Sequence, residues 1–448
     1  MSTASQPALA QVLLASARHI HEVLTGSSLT DSLARTPTSV RAAAQAHSFY
    51  ALRHLGLAQE LRRLLVPRQP KEPLLDALLM EALLLVDVAV RFQADRTAFS
   101  DRPETPIYSV HTVVDQAVEA AQSQRQLRPF KNLLNAVLRR FIRERDALLE
   151  QALKKPVARW NHPAWWVQRL KKAYPNDWQQ ILQVAAIPAP LTLRVNQRRC
   201  SVARLLALLE QAQIPAWSPG HDTVILQQAR PVQQIPAFDL GWWSVQDSSA
   251  QIAGRLLPIT DGMRVLDACA APGGKTAHLL ERADIDLVAL DVDASRLERV
   301  SENIQRLGLE GNHVQLKAAP AQDLNAWWDG VPFDAILADV PCTAAGIVRR
   351  HPDIRWLRRE SDIQATAALQ QHILKALWST LKPTGHLLYV TCSVFPEEGQ
   401  QQLEQFLAQH PDAVLLPESP LQVLPSLTTH DQAGGDGFFY ALLQKSAQ

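Results

Sequence analysis

The turn that follows residue 267 constrains this chain more than any other feature. A short apolar run, Arg264 to Asp267, passes into Ala268, Cys269, Ala270, Ala271, Pro272, Gly273, Gly274, Lys275 and Thr276, and then into the helical pattern Ala277 to Arg282. A small-residue turn between a strand and a helix lets backbone amides approach a ligand closely at the helix N-terminus. Further strand-like runs follow at Leu287 to Asp291, Val314 to Leu316, Ala335 to Ala338 and Leu387 to Val390. Between the second and third strands Leu297, Val300, Ile304 and Leu307 fall at helical spacing, the signature of a βαβ unit and a parallel sheet. From Gly262 onward the pattern is therefore that of strands alternating with helices, an α/β domain.

Spacing narrows the ligand. A phosphate-binding P-loop needs Gly five residues before Gly274, where this chain has Cys269, and the dinucleotide pattern GxGxxG is absent. No seat for a pyrophosphate is evident. Asp291 ends the second strand, where an acid can accept hydrogen bonds from ribose hydroxyls. A nucleoside without a pyrophosphate satisfies both observations, and S-adenosylmethionine is the commonest such cofactor. Asp293 reads instead as a cap of the next helix.

Residues 1 to about 150 carry helical spacing. In Lys131 to Leu149, Leu133, Val137 and Phe141 form one row and Leu134, Leu138 and Ile142 the next, which predicts a core face. Arg139, Arg140, Arg143 and Arg145 lie on the other side. Between Arg125 and Lys172 thirteen Lys or Arg stand against three acids, in a chain whose formal net charge is +1. With Trp160, Trp165 and Trp166 interleaved and Tyr174 just beyond, this stretch suits a phosphate backbone with unpaired bases. It suits equally a solvated helix face over core tryptophans. A segment from Pro188 to about Asp239 contains the strand-like Leu191 to Asn196, the helix-like Val202 to Gln211 and the strand-like Thr223 to Leu226.

No basic stretch followed by an apolar one opens the chain, and the most apolar run, Ala77 to Val90, is broken by Glu81 and Asp87. A cytoplasmic protein without a membrane span is expected. Its four cysteines, Cys200, Cys269, Cys342 and Cys392, have neither the number for a disulfide framework nor the spacing for zinc, so no metal is expected.

Cys200 and Cys269 read as small buried hydrophobes. Cys342 and Cys392 differ: each lies just beyond the carboxyl end of a strand, on the side where open α/β sheets bind ligands, and Asp339 stands three residues before the first. Two thiols and a carboxylate at a cofactor rim suggest covalent catalysis. Carbon 5 of cytosine is a poor nucleophile, and a thiolate added at carbon 6 turns it into an enamine carbon that can accept a methyl group. A carboxyl group at ring nitrogen 3 handles the proton as charge builds there. Cys392 and Asp339 could fill these roles.

At these residues the chain resembles the RNA cytosine-5 methyltransferases, and within them the bacterial ribosomal RNA small-subunit methyltransferase B (Sun/Fmu) group. The matching strings are Asp267 to Thr276 (DACAAPGGKT), Leu290 to Asp293 (LDVD), Ala338 to His351 (ADVPCTAAGIVRRH), Tyr389 to Glu398 (YVTCSVFPEE), Asp436 to Tyr440 (DGFFY) and Val245 to Gln251 (VQDSSAQ). The resemblance implies that Cys392 attacks and that Cys342 assists product release. It also places adenosylmethionine in the loop Cys269, Ala270, Ala271, Pro272, Gly273, Gly274 and Lys275, with Asp291 on the ribose and Asp339 near methyl donor and base. It further implies a Rossmann-like methyltransferase domain over 241–448, an all-α NusB-like RNA-binding domain over 1–150, and between them a basic linker and small α/β RNA-recognition segment over 151–240.

The expected activity is methylation of carbon 5 of a cytosine in 16S ribosomal RNA by a monomer. The rivals are the same chemistry on transfer RNA or another RNA, and an RNA-binding assembly factor with an idle catalytic domain. Two departures from the family pattern stand out: Ala318 and Ala319 occupy positions where the family usually has an Asp near the adenine, and Gly399 replaces the Asn of PEEN.

Overall fold

The computed structural model describes residues 7–99, 105–311, 313–429 and 433–447. It divides into two compact units, one running to Ala186 and including Val348–Arg359, the other comprising Ile187–Ile347 and Glu360–Gln448.

The first unit is helical, as expected of a NusB-like fold. Its central helix, Pro73–Ala94, is apolar on every side and is buried over most of its length. The two acids that interrupt it have partners. Glu81 lies 2.9 Å from His47 Nδ1, and Asp87 accepts from Arg145 at 2.6 Å and from Arg91 at 3.1 Å. No helix among the described residues is long and apolar enough to cross a membrane.

In the helix Lys131–Leu153 the residues Leu134, Val137, Leu138 and Phe141 are buried as the periodicity predicts, but Leu133 is 45% exposed. Each step of four residues overshoots a full turn by about 40°. Two such steps carry Leu133 well round from Phe141 and off the buried arc.

The segment Val348–Arg359, although its neighbours in sequence belong to the second unit, is built into the first. Arg355 is fully buried and donates to the carbonyls of Ala185 (2.7 Å) and Val348 (3.2 Å). Asp353 accepts from the backbone of Leu29 at 3.0 Å, and the Trp356 indole donates to Leu52 O at 2.8 Å.

The second unit carries two sheets. Strands β1 (Thr192–Val195), β2 (Ala216–Gly220), β3 (Thr223–Leu226) and β4 (Trp243–Val245) form a small antiparallel sheet in the order β2-β3-β1-β4, with the helix Val202–Gln211 burying Leu205 and Leu209. The large sheet holds β5 (Arg264–Asp267), β6 (Asp286–Asp291), β7 (Val314–Ala318), β8 (Phe333–Asp339), β9 (Leu381–Thr391), β10 (Ala413–Leu415), β11 (Leu421–Val423) and β12 (Phe438–Lys445). Its order is β10-β12-β9-β8-β5-β6-β7, with β11 paired to β12. Strands β5 to β9 are parallel, and β12 runs antiparallel on β9. This is an open α/β sheet, parallel over β5 to β9 and bordered by antiparallel edge strands.

The order places the site. The chain winds outward from β5 through β6 to β7, then returns to the other side of β5 for β8 and β9, and the crevice at such a reversal is where open α/β sheets bind ligands. Asp267, Asp291, Asp339 and Thr391 end β5, β6, β8 and β9 on that side.

The small sheet is joined to the large one by Arg194 of β1. This fully buried guanidinium makes a paired contact with Glu281 (2.7 and 2.8 Å) and donates to Gly274 O at 2.7 Å and Gln246 Oε1 at 2.5 Å.

Candidate active site

The turn after β5 is held from three sides. Ala270 N donates to Leu290 O (2.7 Å), Ala271 N to Asp291 Oδ2 (3.2 Å), and Gly273 N to Ala270 O (2.7 Å). From the helix Ala294–Leu307, Arg296 donates to Ala271 O and Asn303 to Pro272 O. Gly273 caps the helix Gly274–Arg282 with φ +97°, a conformation that L side chains rarely adopt, and a Cβ there would lie 3.0 Å from Val300 Cα. At Gly274 the same test meets nothing nearer than 3.8 Å, so its small size leaves room beside the turn.

Asp291 is buried at the end of β6, and its Oδ1 also accepts from Asp293 N at 3.1 Å. The Arg296 guanidinium donates to Oδ1 as well, at 3.3 Å. A carboxylate has about four acceptor sites, so these three bonds leave capacity for about one further donor. Asp293 caps the helix Ala294–Leu307 by accepting from Ser295 N, as its sequence context predicts. Cys200 is buried, and burial raises its thiol above the usual value. Cys269 is only partly exposed; burial, followed by the charges of Asp339, Asp267 and Asp291, pushes its thiol well up, so it stays protonated.

Two side chains in the turn carry more than their sequence context shows. Burial raises the Asp267 carboxyl from 3.8 to about 7, with the charge of Asp339 adding to the shift and the Thr276 hydrogen bond (2.7 Å) opposing it. Its other oxygen, Oδ1, is buried with no hydrogen-bond partner. A carboxyl whose folded value exceeds its unfolded one binds extra protons in the folded state between the two, so stability falls as pH rises through that window. The ligand-free protein should lose stability between pH ~4 and pH ~7 through this group, and Asp267→Asn should flatten that part of a urea-denaturation series. An unchanged slope would count against a buried, proton-holding Asp267.

Lys275 Nζ donates to Asp339 Oδ2 at 2.6 Å. Burial alone would lower the lysine, but the Asp339 charge and hydrogen bond, with Cys392 and Asp267, raise it above its usual value. The ammonium is therefore kept beside the carboxylate. Cys342 and Cys392, fifty residues apart in sequence, come to 3.4 Å between sulfurs. The hydrogen bond to Cys392, burial and the charge of Glu398 push Cys342 well above the usual thiol value, so Cys342 holds a proton of the pair. Gly346 N donates to Cys392 O (2.9 Å) and Gly437 N to Gly346 O (2.9 Å), tying both thiol loops to the start of β12.

The aromatic part of the basic stretch needs correction. Trp166 is 1% exposed and cannot stack on a base, while Trp160 is half-buried edge-to-face with Trp178. Arg139, Arg140 and Arg143 are exposed, whereas Arg145 is turned into the unit by its bond to Asp87.

A family model described as 16S rRNA methyltransferase RsmB/F matches residues 255–444, and another, for the ferredoxin-like domain of RsmF/B-like methyltransferases, matches 162–233. The ribosomal RNA small subunit methyltransferase B of Pseudomonas putida is 40% identical over 455 residues, covering 97% of this chain and 98% of that protein. Its counterpart in Vibrio cholerae is 45% identical over 338 residues, covering 75% and 77%. The chain belongs to the RsmB/F family of 16S rRNA methyltransferases. The crystallised protein PH0851 shares its fold with TM-score 0.74 at 22% identity, over 96% of this chain and 99% of that one. Family membership makes this chain a methyltransferase, and the turn after β5 together with Asp291, Asp339, Cys342 and Cys392 lies within the matched 255–444.

Sequence reasoning used Asp267 only as the end of a strand and gave Lys275 no partner. The signal for Asp267 was an acid closing an otherwise apolar strand; the pairing of Lys275 with Asp339, 64 residues later, had no local signal.

Proposed function

We propose that the chain methylates carbon 5 of a cytosine in 16S ribosomal RNA, with S-adenosylmethionine as donor and Cys392 as the attacking thiol. The observation that carries this reading is the 3.4 Å approach of two thiols beside a Lys275–Asp339 ion pair. Methyl transfer to an amine or hydroxyl needs no second thiol; addition to and elimination from a pyrimidine ring uses both.

The residues fit the cofactor. Asp267 offers a buried oxygen without a donor, suited to an ammonium group, Asp291 keeps acceptor capacity for a ribose hydroxyl, and the turn Cys269 to Lys275 leaves space at Gly274. Bound there, adenosylmethionine supplies an electrophilic methyl group.

The chain's own residues do the rest. Cys392 sulfur forms a bond to carbon 6, which sends electron density toward ring nitrogen 3 and carbon 5. Asp339, kept beside the Lys275 ammonium, takes the Cys392 thiol proton as the bond forms and hands it to ring nitrogen 3 as negative charge builds there; after methyl transfer that proton returns through Asp339 to solvent. Once carbon 5 carries its methyl group, its proton must leave and the carbon–sulfur bond must break. Cys342 gives its proton to the departing Cys392 sulfur and takes up the proton from carbon 5, so both thiols are regenerated.

Transfer of a labelled methyl group to purified 16S ribosomal RNA, with transfer RNA as comparison and mapping of the modified base, tests this. 5-Methylcytosine in the ribosomal RNA is expected; label on another atom, or on transfer RNA alone, overturns the reading.

The first unit would hold the RNA through its exposed cations. Neutralising Arg139, Arg140 and Arg143 should weaken RNA binding and reduce its salt slope by roughly 0.7 to 0.9 per lost phosphate contact. The Arg140–Glu144 pair is 45% exposed on both sides and should not prevent this, since exposed pairs are weak. Equal affinity to wild type across a salt series would reduce the patch to a solvated face.

A further inference from the structure

The two thiol loops converge on one buried carboxyl group. Glu398, two residues after Pro396 in the string that follows Cys392, has no exposed surface. Its Oε1 accepts from Thr343 N at 2.7 Å and lies 2.6 Å from the Thr366 hydroxyl; its Oε2 accepts from the hydroxyls of Thr343 and Ser393, the latter at 2.6 Å. Thr343 is the residue after Cys342, and Ser393 is the residue after Cys392. The backbone carbonyl of Glu398 is held in turn by the Tyr389 hydroxyl at 2.7 Å, and Gln370, which donates to Pro341 O at 2.9 Å, lines the same cluster.

A carboxylate is the one side chain of this length that can accept on both oxygens, and the donors here come from the ends of β8 and β9 and from the helix Glu360–Thr380. An amide would turn one acceptor into a donor facing donors. We infer that Glu398 is a positioning residue: it clamps Thr343 and Ser393, and through them sets the distance between the sulfurs of Cys342 and Cys392. The inference rests on the roles given above to the two thiols, but the clamp itself can be measured without RNA.

The test compares full-length wild type, Glu398→Gln, Thr343→Val, Thr343→Ser and Ser393→Ala. Diamide oxidises two thiols to a disulfide, taking their two hydrogens and being reduced to the hydrazine, so its rate of linking Cys342 to Cys392, read by peptide mass, reports how well the sulfurs are held together. A misplacement near 1 Å in such a pair costs up to about a hundredfold in rate. Glu398→Gln should slow the link at least about tenfold, Thr343→Val should slow it in the same direction, and Thr343→Ser should restore it. With RNA, kcat should fall in parallel with the linking rate while KM for RNA stays near wild type, a split that general loosening of the fold would not produce. Wild-type linking rates in Glu398→Gln and Thr343→Val would overturn the clamp, and if Glu398→Gln does not fold, the Val, Ser and Ala variants decide in the same way. A slowed link in a protein whose wild type methylates no RNA would leave the clamp standing and sink the proposed function instead.

Discussion

Cys392→Ala is expected to abolish methylation and to leave no protein attached to RNA, while Cys342→Ala is expected to trap a protein–RNA complex that survives denaturation. The two outcomes differ because the thiols act at opposite ends of the reaction. Without Cys392 no bond to carbon 6 forms, and loss of a nucleophile from a concerted site costs on the order of 10⁴ to 10⁶ in rate. Without Cys342 the bond forms, the methyl group arrives, and the carbon 5 proton has no acceptor beside the departing sulfur. Denaturing gel electrophoresis after incubation with ribosomal RNA and adenosylmethionine reads the difference. The Cys342→Ala complex should disappear when Cys392 is removed as well. A covalent complex from Cys392→Ala and none from Cys342→Ala would reverse the roles, and wild-type methylation by both single variants would remove the thiols from the pathway.

The second large effect is on stability. Arg194→Ala strips the partner from Glu281, whose carboxyl burial already raises above its usual range even with Arg194 beside it. It also unties the carbonyl of Gly274, the first residue of the helix that follows the small-residue turn. Removing one member of a buried pair leaves an uncompensated charge and costs about 3–5 kcal/mol. Replacing both members with apolar residues, as in Arg194→Met with Glu281→Leu, should cost far less, because no charge is left behind. The sign with pH follows from the same group. In Arg194→Ala the lone Glu281 favours its neutral form still more, so the deficit should shrink as pH falls and be largest at neutral and alkaline pH. Urea denaturation of the three proteins at several pH values checks this. A single variant no less stable than the double one would mean that the pair contributes nothing beyond its packing.

Several elements could be read from the sequence because their causes are local. Short apolar runs mark β5 to β9, although β9 starts at Leu381, six residues ahead of its expected run, and the spacing of Leu297, Val300, Ile304 and Leu307 marks a helix whose four apolar residues are all buried. Val202–Gln211 and Thr223–Leu226 have the bounds that their patterns predict. Strands β10, β11 and β12 leave no such mark in the sequence, because a strand added antiparallel to a sheet edge carries no crossover pattern to reveal it.

By itself, then, the sequence determined the strand–turn–helix at residues 264–282, the exclusion of phosphate-loop and dinucleotide motifs, and the placing of Asp291, Asp339, Cys342 and Cys392 at strand ends, since periodicity and turn chemistry act over a handful of neighbours. Tertiary structure alone decided what those strand ends do to one another. The parallel register that sets Asp339 opposite Val390 brings Cys342 to Cys392 across fifty residues and delivers Thr343 and Ser393 to Glu398. The same holds for Lys275 against Asp339, for the orphaned oxygen of Asp267, for the burial of Trp166 and for the building of Val348–Arg359 into the helical unit. Each depends on desolvation and on partners distant in the chain, and neither quantity is written into any local stretch of residues.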